Sequence, residues 1–599
     1  MVASHRMRAI RELPLLAPLL LVALAVFFGG GPGDGSLVWL GGGALLALLA
    51  LVATRGLPTG ARVLLPLAAL GAWAALSILW STLPDRSWDY ADRTLVYLLF
   101  AALGLWFAGR TRELALGLVA ILGAVVLWSL AGKVVPPLYG DYGRLARLRG
   151  PVGLWNQLAL LADFALPLAL WRRGRTGTLL AYAWIVALLL TYSRGGILTG
   201  AIVVAAFLAL TDERLESAAT LVAAAVPAAV VVGIAFALPG VTGDGRSSHV
   251  RWHDGLVFGV LLLVGAAAAL VLERLPRPRI TAGARRGLIA LGAAGALAVV
   301  VVAALAALKG AGSAAVGNGG SRVASTSSNF RFVWWREAWN GWLHHKLAGT
   351  GAGSFHLTNL RFRTSYLDFA TEPHNLPLQF LSEVGVIGLA LFLLTAAAFL
   401  VPGRRRRGHE LALALVLPAF LIHSLVDIDW DFVAVSAPAF LVAGALAGRT
   451  RLRRVSPFGS LALAGVGLLV FGALLLPWLG RRWSGQAEET LSTPRAVQLA
   501  NRARSVDPLL IEPLITLAFA SQDRPGLARG YFDAAIAKQP ENPKPLLLAG
   551  QFALDLGCAR LAYSYLEPFT ERDPYARPSD GPDDYRTARA LVNSGKPRC

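Results

Sequence analysis

Apolar stretches about as long as a bilayer is thick recur along the first 480 positions, separated by short polar connections. At about 20 apolar residues per span, the pattern predicts roughly fifteen transmembrane helices. They fall near 13–29, 37–53, 63–80, 94–108, 114–131, 152–170, 178–192, 196–210, 217–238, 255–272, 287–308, 377–400, 410–426, 432–447 and 459–479. Two connections are very tight, at Ser193–Gly196 and at Val426–Phe432. Between positions 309 and 376 the apolar rhythm stops. This polar insert ends in Glu372-Pro373-His374-Asn375-Leu376 and runs straight into another apolar helix.

After Pro477 the character changes again, and residues 486–575 have the pattern of a soluble helical domain. The segment Leu527-Ala528-x-x-Tyr531, ending at Pro540, returns as Leu561-Ala562-x-x-Tyr565, ending at Pro574. The offset is about 34 residues, the tetratricopeptide period. Asp507-Pro508 marks an earlier repeat end. Such arrays offer a concave surface to a protein partner. The tail, 576–599, is rich in Pro, Asp and Gly and reads as loose. The predicted fold class is therefore all-α: a polytopic membrane bundle over 1–480 with a large external loop at 309–376, then tetratricopeptide-like helices over 486–575.

Hydrophobic residues make up 55% of the 599 and charged residues only 15%, which excludes an ordinary soluble domain. The net charge of +20 would suggest nucleic acid in a soluble chain. Here the arginines lie in short connections between apolar runs, where cytoplasmic loops collect them. With the N-terminus (Arg6, Arg8, Arg11) inside, alternation gives the inside loops Arg55 and Arg62, Arg110 and Arg112, Arg172 to Arg175, Arg214, Arg274 to Arg286, Arg404 to Arg407 and Arg449 to Arg454. The insert and the C-terminal domain then fall outside. The first apolar run exits through a Gly-rich segment without a small-residue cleavage site, and reads as an uncleaved anchor.

The basic residues left outside are exceptions to this rule. Arg144, Arg147 and Arg149 precede Val152-Gly153-Leu154-Trp155-Asn156, Arg194 stands in the break Thr191-Tyr192-Ser193-Arg194-Gly195-Gly196, and Arg331 and Arg336 lie in the insert. A single arginine at an interface commonly just snorkels to the headgroups. Several on one face, beside His374, point to a phosphate ligand, because the guanidinium fork matches phosphate oxygens bidentately. A pyrophosphate at the outer leaflet fits such a set. An imidazole with an ordinary pKa near 6.5 suits a general base there.

Other residues have plainer readings. Asn156 and Asp163 share a helix face, and a carboxylate inside a span is expected to face the bundle interior and hold a basic partner. Asp427, Asp429 and Asp431 alternate as cation ligands sometimes do, but a solvated turn is the simpler expectation, and no metal is assigned. Gly349-x-Gly351-x-Gly353 lacks the strand-to-helix context of a nucleotide loop and reads as a tight turn. His344 and His345 lack a ligand partner at metal spacing. Cys558 and Cys599 are too few for a disulfide framework.

Several blocks, in order, resemble the O-antigen ligase/polymerase membrane family. They are Arg149-Gly150-Pro151-Val152-Gly153-Leu154-Trp155-Asn156-Gln157, Ser193-Arg194-Gly195-Gly196, Arg331-x-x-x-Trp335, Leu347-Ala348-Gly349-Thr350-Gly351-Ala352-Gly353-Ser354-Phe355, His374-Asn375-x-x-Leu378 with Glu383-x-Gly385, and His423-Ser424-Leu425-Val426-Asp427-Ile428-Asp429. The resemblance covers roughly residues 90–450. It implies a glycosyltransferase that moves a glycan from a polyprenyl-pyrophosphate carrier to an acceptor hydroxyl on the external face, without metal, nucleotide or other cofactor. It implies that Arg194 and Arg331 hold the pyrophosphate, with Arg336 and Arg149 beside them, and that His374 is the essential histidine. Asn156, Asn375, Glu383 and Asp427 are read as supporting residues.

The alternative from another class is a transporter of a lipid-linked sugar or small anion. That reading favours broken helices with charges near the midplane, whereas the distinctive charges here lie at the outer boundary. A repeat scaffold accounts for the C-terminal domain only.

Overall fold

The computed structural model describes residues 2–138, 146–275, 327–400, 406–449, 451–491 and 493–594. The apolar run at 287–308, the first part of the insert and Arg144 lie outside the described residues. Every other predicted run lies on a helix: α1 (Val2–Phe27), α2 (Asp34–Arg55), α3 (Leu65–Leu76), α4 (Pro84–Gly104), α5 (Thr111–Val134), α6 (Trp155–Arg172), α7 (Gly174–Leu190), α8 (Arg194–Leu210), α9 (Arg214–Ala235), the single turn α10 (Pro239–Thr242) and α11 (Ser248–Arg274). The insert contributes α12 (Arg331–His344) and α13 (Phe355–Phe362). The membrane part resumes with α14 (Leu376–Leu400), α15 (Gly408–Ala414), α16 (Val416–His423), α17 (Val433–Ala447) and α18 (Pro457–Glu489). Eight helical segments among the described residues are long and apolar enough to cross a bilayer, and five shorter apolar ones accompany them. Two residues of strand on each side, Leu57–Pro58 and Leu452–Arg453, pair antiparallel.

The bundle is centred on α6 and on the α4–α17 pair. Nearly every side chain of α6 from Asn156 to Leu170 is buried, polar ones included. In the α4–α17 pair the backbones touch: a Cβ on Gly104 would lie 2.1 Å from the Leu441 carbonyl, and one on Gly444 2.0 Å from that of Ala101. Lipid is as apolar as leucine, so helices in a bilayer associate through this kind of close contact between small residues.

Helix α14 is interrupted at Gly385 (φ 69°, ψ −169°). The loop after α12 repairs the gap. The Val386 N–H donates to the Lys346 carbonyl (3.0 Å), and the Gly351 N–H to that of Glu383 (2.7 Å). The Glu383 carboxylate accepts from the Gly353 N–H (2.8 Å) and the Phe355 N–H (3.2 Å). A Cβ on Gly349 would sit 2.2 Å from the Glu383 carbonyl. The glycine triplet is thus a tight turn, as its sequence context predicts, and Glu383 holds it to the bundle.

The C-terminal segment forms α19 (Pro494–Val506), α20 (Glu512–Phe519), α21 (Pro525–Lys538), α22 (Pro543–Asp555), α23 (Ala559–Arg572) and α24 (Pro582–Asn593). Equivalent positions of the internal repeat play equivalent parts: Ala528 and Phe532 are buried on α21, and Ala562 and Leu566 on α23. These helices dock at the same end of the bundle as the insert. Arg363 clamps Asp573 with Nη2 at 2.6 and 2.7 Å and Nε at 3.0 Å. Gln539 Nε2 donates to Asp85 of α4 at 2.7 Å. Arg481, near the end of α18, pairs with Asp34 and Asp89.

Candidate functional site

The His-Asn block is formed at the entry of α14. The Asn375 side chain caps the helix, its Oδ1 accepting from the Leu378 N–H at 2.9 Å. His374 immediately precedes it, with φ at 54°. A non-glycine residue in this left-handed region carries strain that the surroundings must hold. Here the hold comes from a turn across the site. The Leu376 N–H donates to the Ser424 carbonyl (2.8 Å), and Asn375 Nδ2 to that of Leu425 (2.9 Å).

The imidazole is fixed on both sides. Its ring stacks on Trp334 of α12, with centroids 4.7 Å apart and planes 30° from parallel. Trp334 is itself anchored, its Nε1–H donating to the Asp368 carbonyl at 2.7 Å. His374 Nδ1 lies 3.1 Å from the Glu372 carbonyl. A carbonyl only accepts, so Nδ1 bears the proton and the neutral ring keeps its lone pair on Nε2. Burial lowers the pKa of His374. Asp427 opposes that shift, and Arg331 adds to it.

Arg331 begins α12, one helical turn before Trp334 and on the same face. Its Nε–H donates to the Val426 carbonyl (2.7 Å) and Nη2 to Asp427 Oδ2 (3.2 Å). Asp427 is buried and also accepts from the Asn156 amide and, at 3.0 Å, from the Ile428 N–H. Burial opposes its charge, yet Arg331, His423 and His374 together lower its pKa. Asn156 in turn accepts from Arg147 Nη2 at 3.3 Å. Arg147 is buried, donates through Nε to the Thr191 carbonyl (2.8 Å) and lies 4.0 Å over the Trp155 ring.

Arg194 opens α8, whose first turn Ser193 caps by accepting from the Gly196 N–H. It is half-buried, donates to the Ser327 carbonyl at 2.7 Å, and stands close enough to Arg331 for the two charges to oppose each other. Like charges gathered this way form a ready site for an anion.

The structure therefore brings together His374, Asn375, Arg331, Arg194, Asn156 and Asp427 from the predicted set. Arg336 does not join them: it lies exposed on α12, five residues and so about 140° around the helix from Arg331. Arg149 is half-buried in the loop before α6, where its charge acts on Lys133, while Arg147 enters the network through Asn156. Glu383 serves the glycine turn. The three alternating aspartates diverge: Asp427 faces Arg331, Asp429 faces His423 at 2.8 Å, and Asp431 faces Arg93 at 3.7 Å. Asp163, expected to hold a basic partner, is fully buried, and neither of its oxygens has a hydrogen-bond partner among the described residues.

Sequence reasoning did not single out Trp334 as the platform for the histidine, nor the carbonyls of Ser424, Leu425 and Val426. Trp334 fills an unspecified position inside the Arg331-x-x-x-Trp335 block, and backbone acceptors leave no mark in a sequence. It also passed over Arg86, which faces Glu372 (3.9 Å) two residues before the histidine. Burial pushes the Glu372 carboxyl up to about 7.

Apolar helices with arginines, a histidine and carboxylates converging at one end define a polytopic all-α membrane protein with a cluster of charged side chains at that end. Residues 254–393 match the family model described as O-antigen ligase. Over that segment, less than a quarter of the chain, the protein is similar to O-antigen ligases. No curated protein matches the chain significantly. The matched segment contains Arg331, Arg336, His374, Asn375 and Glu383, while Arg149, Asn156, Arg194 and Asp427 lie outside it.

Proposed function

We propose that the protein transfers a glycan from a polyprenyl-pyrophosphate carrier to an acceptor hydroxyl at the external face of the cytoplasmic membrane, with His374 as general base. The observation that carries this reading is the fixed histidine. Its Nδ1 proton is engaged by a carbonyl, its ring is stacked on Trp334, Arg331 acts on its charge, and Arg194 lies near Arg331. Nε2 takes the proton of the acceptor hydroxyl. The oxygen attacks the anomeric carbon, whose bond to the pyrophosphate oxygen breaks, and polyprenyl pyrophosphate departs with the bonding electrons. The imidazolium then returns its proton to water. Arg194 and Arg331 offset the charge growing on the leaving group. Arg331 uses Nε and Nη2 on the protein, and its Nη1 has no hydrogen-bond acceptor among the described residues. Guanidinium groups supply the positive charge, so the reaction runs without a divalent cation.

The external placement draws on the arginine asymmetry between alternate loops. The C-terminal helices are read as tetratricopeptide-like repeats with a surface for a protein partner.

The test is single-turnover transfer from a purified lipid-linked glycan in nanodiscs. His374→Ala is expected to lose about 10²–10⁴-fold in rate while still binding the donor, and wild-type activity to persist in excess EDTA. Near-normal transfer by His374→Ala removes the base assignment. Abolition by EDTA with rescue by Mg²⁺ removes the metal-free mechanism.

A further inference from the structure

The residues of the site come from α6, α8, α12 and the start of α14, and one turn connects most of them. This turn, between α16 and α17, gives successive carbonyls to the site: Ser424 to the Leu376 N–H, Leu425 to Asn375 Nδ2 and Val426 to Arg331 Nε. Its next residue, Asp427, holds Arg331 and Asn156. The first turn of α8 rests on it as well, since a Cβ on Gly195 would lie 3.0 Å from Val426 Cγ2, and this brings Arg194 alongside. A shift of the turn would move His374, Arg331 and Arg194 relative to one another.

The underside of the turn is held by Asp429, which is fully buried. Its carboxylate accepts from His423 Nδ1 (2.8 and 3.0 Å), Ser424 Oγ (3.0 Å) and Gln157 Nε2 (3.2 Å), and its carbonyl accepts from Ser436 Oγ (2.9 Å). His423 is equally buried, and its Nε2 has no hydrogen-bond partner among the described residues. A buried ion pair contributes little net stability, because desolvation offsets the attraction; its best-attested use is to specify one geometry. Neither side chain reaches the reacting groups, yet together they tie both ends of the turn to each other and to α6.

We propose that His423 and Asp429 are positioning residues, a buried pair that sets the turn 424–427 and through it aligns the base His374 with the donor-binding Arg331. The proposal rests on the transferase reading above, and its test separates the two. The variants are His423→Gln, Asp429→Asn and the double variant in full-length protein, reconstituted in nanodiscs. Two quantities are read: kcat for transfer, and hydrogen–deuterium exchange of the peptide spanning 371–378, whose Leu376 amide bonds the turn.

Each single variant is expected to lower kcat by roughly ten- to a hundredfold, the scale on which small misplacements act. The double variant should fall no further than either single one, since both act through one pair. Exchange over 371–378 should quicken while that of α19–α24 stays unchanged. Wild-type exchange and wild-type kcat in correctly inserted His423→Gln overturn the proposal. A wild-type protein that transfers nothing sinks the transferase reading instead, and the exchange result still decides the positioning. Where His423→Gln and Asp429→Asn do not accumulate, Ser424→Ala removes a single bond to Asp429. A several-fold loss of kcat with quickened exchange then supports the proposal, and no change in either quantity overturns it.

Discussion

At the scale of single residues, the site is a contest between burial and charge. Burial and Arg331 both disfavour the imidazolium form of His374, and Asp427 favours it. The pKa is lowered, so the ring stays neutral and competent as a base to a pH below its ordinary 6.5. In kcat/KM for transfer, the acid limb is expected to bend below pH 6.5, with the rate rising as pH increases through the His374 pKa. Asp427→Asn removes the anion that favours protonation, so its limb should move further to the acid side. A limb that moves to higher pH in Asp427→Asn contradicts this electrostatic account. Arg331→Lys keeps the charge but loses the fork shared between the Val426 carbonyl and Asp427. Its binding of a polyprenyl-pyrophosphate analogue should weaken while the protein still inserts; unchanged binding would make Arg331 an anchor of α12 only.

At the scale of elements, the break in α14 keeps the glycine turn and the capped helix entry in register. Gly385 has a left-handed φ, and a Cβ there would meet the Leu347 carbonyl at 2.1 Å. Gly385→Ala must strain the backbone and push the loop away, breaking the bonds that bridge the gap. The expected cost is at least about 1–3 kcal/mol, read as a lower thermal midpoint in detergent and a loss of transfer. Gly465, on lipid-facing α18 with open space around it, provides the control and should tolerate alanine. The tight connections at Ser193–Gly196 and Val426–Phe432 serve the site in the same way: one opens α8 with Arg194, and the other receives Arg331 and Asn156.

At the scale of the whole molecule, the repeats and the insert meet through Arg363 and Asp573, both nearly buried. Removing one member leaves the other charge buried without its partner. Asp573→Asn is expected to weaken the docking by roughly 3–5 kcal/mol, seen as faster proteolysis of the connection before α19. The double variant Arg363→Met/Asp573→Leu should recover most of that loss; equal sensitivity in both would show that the pair does not hold the interface. Because these two segments share one end of the bundle, reporter fusions at residues 320 and 580 should agree with each other, both external, and a fusion at 405 should be cytoplasmic. A cytoplasmic reporter at 580 would contradict the shared side.

The membrane architecture was written in the sequence because a bilayer span is a local requirement: about 20 consecutive apolar residues suffice, whatever they pack against. The residue types of the site were local too, since arginines outside and a histidine at a helix entry break the pattern around them. Which of these groups meet was decided by tertiary structure. Arg331 reaches Asp427 across 96 residues of chain, and Asn156 reaches it across 271. Arg336, close to Arg331 along the chain, is turned away by the pitch of α12. Arg147, buried in the loop before α6, joins the network through Asn156. Hydrophobic periodicity states that a face is buried. The partner of each polar side chain within that face depends on helix rotation and on backbone carbonyls, which only the folded chain brings together.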